Sequence, residues 1–120
     1  MGEEQRRLIR LRERLTTRIR RLDNGLAERT LTKDISGSGI CLVTAEVIEP
    51  GVPVEVELRL PDQETPVLFL GDVVWSLPIP PPTTHGGAPI VETGIRFVSI
   101  SPKHRELIMQ YARLHALPPL

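Results

Sequence analysis

Two groups of residues in this chain of 120 have types and spacings that suit chemistry. The first is Asp34-Ile35-Ser36-Gly37-Ser38-Gly39, followed at once by the apolar run Ile40-Cys41-Leu42-Val43. The short side chains of Asp34 and Ser36 bond the local backbone or a ligand equally well. Two glycines within three residues imply positive φ or a close approach that a side chain would obstruct. The second group is Arg6-Arg7-Leu8-Ile9-Arg10, an Arg-x-x-x-Arg spacing with a third arginine beside the first. A guanidinium is a planar fork that matches phosphates, carboxylates and guanine edges. Each group has a plain structural alternative: the first is equally a tight hairpin turn, and any basic segment generates the second by chance.

The elements that must position these groups are legible from pattern. Residues 1–14 read as a charged arm: Leu8, Leu11 and Leu15 recur at helical spacing, but no N-cap precedes them, which favours a mobile or extended segment that orders on a partner. Leu15 to Leu22 alternates as a strand. Asp23-Asn24-Gly25 marks a hairpin turn, Asn-Gly being favoured in type I′. A second strand runs from Ala27 to Lys33 into the Asp-Ser-Gly corner, and a third from Ser38 to Ala45. After a turn at Glu49-Pro50-Gly51, the alternation of Val52, Val54, Val56, Leu58 and Leu60 with polar partners is the cleanest strand in the chain. Val67 to Leu77 follows, with Gly71-Asp72 suggesting a bulge or a bend at a barrel corner. Residues 78–90 carry too many prolines for a regular element, and Val91 to Ile100 is the last strand. Ser101-Pro102 then opens a helix with a serine N-cap, its apolar stripe formed by Leu107, Ile108, Tyr111 and Leu114 and its end set by Pro118-Pro119. The expected fold is one mainly-β domain: a six-stranded antiparallel barrel over residues 15–100, a C-terminal helix over 101–117 and a basic N-terminal arm over 1–14.

Charge and composition narrow the function classes. Fifteen basic and fifteen acidic residues give a net charge of zero, which argues against a protein that coats nucleic acid through overall charge. The balance hides a local excess. Residues 1–22 hold Arg6, Arg7, Arg10, Arg12, Arg14, Arg18, Arg20 and Arg21 against Glu3, Glu4 and Glu13, a formal +5 without one lysine. The single cysteine, Cys41, excludes an internal disulfide and fits a reducing compartment; in an apolar strand it is a small buried hydrophobe. No signal-peptide pattern opens the chain and no apolar run approaches a membrane span, so a soluble cytoplasmic protein is expected. His85, His104 and His115 are scattered, with no nucleophile–base pair and no metal-ligand spacing. The expectation is therefore no enzyme, no metal and no cofactor.

An arginine motif upstream of an Asp-x-Ser-x-x-Gly turn, in a six-stranded barrel, resembles the PilZ domain, a bacterial family that binds the second messenger cyclic di-GMP. The likeness spans nearly the whole chain. Arg6-Arg7-Leu8-Ile9-Arg10 occupies the arginine motif; Asp34, Ser36 and Gly39 fill the second motif; Gly51 to Val56 and Gly94-Ile95-Arg96-Phe97 sit where the middle and last strands belong. Arg10-Leu11-Arg12-Glu13-Arg14 offers a second Arg-x-x-x-Arg, but Arg10 keeps the family's distance to the first strand. The resemblance implies that Arg6 and Arg10 take guanine and phosphate with Arg7 assisting, and that Asp34 takes the guanine Watson–Crick edge. Ser36 would contact a phosphate or base, Gly39 would keep the backbone clear, and Trp75 either packs a base or is ordinary core. Each bidentate fork on guanine contributes about 1–3 kcal/mol of discrimination. The mechanism so implied is an arm that repels itself when empty, folds over the dianionic ligand, and presents a changed surface to a downstream protein partner. Two rivals stand beside it: a PilZ-like interaction domain that binds no ligand, and a small nucleic-acid-binding barrel, the latter weakened by an aromatic content of only 3%.

Overall fold

The structure, a computed structural model, describes residues 10–80 and 90–115. Arg6, Arg7 and His85 lie outside the described residues, as does most of the proline-rich segment.

Among the described residues seven strands and one helix follow in order: β1 (Arg10–Leu11), β2 (Thr16–Arg21), β3 (Ala27–Ser36), β4 (Gly39–Thr44), β5 (Pro53–Leu58), β6 (Val67–Ile79), β7 (Ile90–Ile100) and α1 (Pro102–His115). All pairings are antiparallel, and the order β3-β2-β5-β6-β7-β4 closes through the β3–β4 pairing into a six-stranded barrel. Closure removes the free edges that an open sheet of this size would expose. Alternation drives the closure: Ile19 on β2, Val54, Val56 and Leu58 on β5, and Val67, Phe69 and Val73 on β6 all point into one core. The helix α1 packs against β1, β3 and β6 and adds Ile108, Tyr111 and Ala112 to that core. Its start is capped as expected, with the Ser101 hydroxyl accepting from the His104 amide at 3.1 Å.

Two local expectations are corrected and two are made more specific. The arm, expected as a mobile or extended segment through residue 14, is extended at Arg10 and Leu11, which form β1 on the edge of β3, where the pairing with β2 has run out. The Asn24-Gly25 turn is not type I′, which needs positive φ at both central residues. Gly25 alone is left-handed, at φ 75°; the Asn24 side chain instead accepts from the Leu26 amide, and Arg21 reaches round to grip Asp23 with two hydrogen bonds. That contact holds the Asp23 carboxyl below the usual carboxylate range. The β6–β7 ribbon runs further than its prolines suggested, Pro78 pairing with Val91 and Ile79 with Ile90 near its open end. Finally, an irregularity does fall at Gly71, with its extra residue on the partner strand: Leu70 faces Ser99 and Gly71 faces Phe97, so the extra residue is Val98 on β7.

Candidate functional site

Two bulges decide which residues face outward at the site. Along β3, Thr32 pairs with Leu42 but Asp34 pairs with Cys41, so Lys33 is an extra residue. Thr32 and Ile35 are both buried although they are three residues apart, a spacing that strict alternation forbids. The bulge resets the phase and turns Asp34 and Ser36 to the outer surface. On β6, Val73 pairs with Ile95 and Trp75 with Gly94, leaving Val74 as the extra residue. Val73 stays in the core while Trp75 emerges at 38% exposure. Without that bulge Trp75 would continue the inward series of Val67, Phe69 and Val73.

The outcome is a single row across four strands: Asp34 on β3, Cys41 on β4, Gly94 on β7 and Trp75 on β6. Three inter-strand steps separate its ends, about 14 Å at the usual strand spacing. The two middle positions are small, so the row sags into a shallow concavity lined also by Ser36, Ser38, Gly39 and Arg96. At about 340 Å³ it is at the low end of sites that engulf a drug-sized ligand, and a cyclic dinucleotide would need a further wall.

Each wall has a local cause. Gly39 and Gly37 are not left-handed, so of the two reasons for glycine at this corner, close approach is the one that operates. A Cβ on Gly39 would overlap the Ile95 carbonyl oxygen of β7. A Cβ on Gly94 would overlap the Trp75 indole at Nε1 and Cε2, so the indole packs directly against bare backbone. The turn between β3 and β4 is only Gly37-Ser38, and Asp34 and Ser36 belong to β3 rather than to the corner itself. The Ser36 hydroxyl braces this turn through long contacts to the Ser38 hydroxyl (3.2 Å) and the Gly39 carbonyl (3.3 Å). Among the described residues no group hydrogen-bonds the Asp34 carboxylate.

β1 brings Arg10 to this place. Arg10 pairs with Ser36 and Leu11 with Ile35, so the backbone of Arg10 lies alongside the rim of the concavity. Of the seven residues expected at a site, Asp34, Ser36, Gly39 and Trp75 line one concavity and Arg10 borders it; Arg6 and Arg7 lie outside the described residues. Three further residues were missed. Arg96 lines the concavity and is tied to Asp72 at 3.1 Å with its guanidinium still largely exposed. Gly94 seats the indole, and Thr32 holds the root of the arm. Nothing in the pattern distinguishes Arg96 from any outward strand residue, whereas Gly94 in an apolar strand is a legible sign of close backbone approach.

The family model for the PilZ domain matches residues 4–114. The chain belongs to the PilZ domain family. No curated protein sequence matches it. Solved structures share the fold: the Bacillus subtilis inhibitor of motility MotI/DgrA is 20% identical with a TM-score of 0.69, over 88% of this chain and 48% of that one. The PilZ domain of YcgR from Escherichia coli, solved with c-di-GMP, is 12% identical with a TM-score of 0.67, over 84% and 81%. The MrkH–c-di-GMP complex of K. pneumonia is 18% identical with a TM-score of 0.64, over 84% and 48%. This PilZ domain thus spans about half the length of MotI/DgrA and MrkH and most of the YcgR domain. Among the described residues no helix is long and apolar enough to cross a membrane.

Proposed function

We propose that this PilZ domain is a receptor for cyclic di-GMP that signals by a change of surface rather than by catalysis. The observation that carries the reading is the β1 pairing, which sets Arg10 against Ser36 at the rim of the concavity lined by Asp34, Gly39 and Trp75. The concavity supplies a guanine-edge acceptor in Asp34, a stacking shelf in Trp75 and an exposed cation in Arg96. The arginine segment supplies the missing wall: Arg6 and Arg10 take guanine and phosphate, with Arg7 assisting. An aspartate accepts from guanine N1–H and N2–H2, which adenine does not offer, so the site selects guanine. Binding neutralises the arm and orders it over the ligand, and the covered surface is read by a protein partner.

Isothermal titration of wild type and Arg10→Ala with cyclic di-GMP tests the reading, with cyclic di-AMP as the control. Wild type binds cyclic di-GMP and not the adenine analogue, and Arg10→Ala weakens binding by about tenfold or more, the value of one lost bidentate fork. A wild-type protein that gives no heat with cyclic di-GMP is instead the ligand-free interaction domain. Amide exchange over residues 4–14 tests the arm separately, and protection that does not rise with ligand overturns the ordering step.

A further inference from the structure

The chain between β1 and β2 is gripped more tightly than a linker requires. The buried Thr32 hydroxyl accepts from the Leu15 amide at 2.9 Å and donates to the Glu13 carbonyl at 2.6 Å. The same Glu13 is held a second time, its Oε1 accepting from the Tyr111 hydroxyl of α1 at 2.5 Å. Tyr111 is the one tyrosine of the chain and is almost wholly buried; Leu11 and Leu15, on either side of Glu13, enter the same core cluster as Tyr111, Ile108 and Ala112. Backbone and side chain of one residue, three positions after Arg10, are therefore fixed from the barrel wall and from the helix at once.

We infer that Tyr111 is a positioning residue of the ligand site, and that through Glu13 the C-terminal helix and the arginine arm report on each other. The inference rests on the cyclic di-GMP reading. The register of β1 on β3 decides where Arg10 falls, and a slip of one residue would turn every side chain of β1 to the opposite face. Thr32 fixes that register from β3. Tyr111 fixes it from α1, which contributes no residue to the concavity. Coupling between two sites is reciprocal: if docking of α1 helps to set β1, a ligand that tightens β1 also tightens α1. Occupancy at Asp34 and Trp75 is then carried to an element remote from the ligand.

The test is titration with cyclic di-GMP of wild type, Tyr111→Phe, Glu13→Ala, the double variant and Glu13→Gln, each first shown to be folded by circular dichroism. Tyr111→Phe keeps the buried ring and loses only the hydroxyl; Glu13→Gln keeps an Oε1 acceptor. The expected result is a Kd raised about fivefold to tenfold in each of Tyr111→Phe and Glu13→Ala, about the strength of one hydrogen bond to a charged group partly transmitted to the ligand. The double variant is no worse than either single, and Glu13→Gln lies near wild type. In wild type, ligand slows amide exchange over residues 108–115, and in Tyr111→Phe it does not. Should Tyr111→Phe fail to fold, Glu13→Ala carries the comparison from the more accessible end of the same bond. Unchanged affinity in folded variants, with helix exchange indifferent to ligand, overturns the inference and leaves Tyr111 as a structural plug. A wild type that does not bind overturns the ligand reading and, with it, this one.

Discussion

Replacing Gly94 by alanine separates the shelf from the residue that rests on it. The added methyl would occupy the space now filled by the Trp75 indole, and the strand backbone beneath, paired with both Cys41 and Trp75, has nowhere to retreat. The indole is the part that moves, because it already sits at the surface with 38% of its area exposed. The stability cost then stays near the lower end of overpacking, about 1 kcal/mol. The cost to binding is larger, since an indole swung off its seat forfeits the stacking of one base, about 1–3 kcal/mol. That converts to a Kd raised between about fivefold and 150-fold. Trp75 is the only tryptophan, so its fluorescence reports the same event: cyclic di-GMP changes the emission of wild type, and the change is lost in Gly94→Ala. Trp75→Ala weakens binding by a similar factor, and the double variant is no worse than Trp75→Ala. Wild-type affinity in Gly94→Ala, with the fluorescence response intact, would refute the idea that the indole is a base-stacking shelf seated by this glycine.

Thr32→Val leaves the Leu15 amide and the Glu13 carbonyl without their buried partner, and should lower the stability measured by urea unfolding by about 2–4 kcal/mol. Asp34→Asn keeps the fold, since no described group depends on that carboxylate, yet should weaken cyclic di-GMP binding at least tenfold by turning an acceptor pair into an amide that presents donors to guanine donors. Burial and the neighbouring Glu13 carboxylate push the Tyr111 phenol above its ordinary range. A folded-state pKa raised above the unfolded value means that this stability is fully present below about pH 10 and is lost as pH rises further. Phenolate absorbance, from the single tyrosine, should therefore appear only above the ordinary phenol range and together with loss of structure; titration near pH 10 in a folded protein would contradict the burial described. Ser101→Ala removes the cap on the His104 amide and should cost about 1 kcal/mol in thermal unfolding, without changing ligand affinity.

Much of this molecule is written in its alternation and its turn residues. The strands β2, β5 and β7, the capped helix and the pairing of an arginine motif with an Asp-x-Ser-x-x-Gly motif are all local patterns, and local patterns follow from side-chain period and backbone preference. The placement of the site is of another kind. Asp34 and Trp75 face the same concavity only because an extra residue at Lys33 and another at Val74 shift the phase of two separate strands. A bulge depends on what the neighbouring strand offers, so neither is signalled at its own position. The same holds for Gly94, whose purpose lies in an indole on the adjacent strand, and for Glu13, whose partner is 98 residues away on the helix. Composition and period settle which segments become strands; barrel closure settles which side chains meet, because only closure brings β3 and β6 to the two ends of one row.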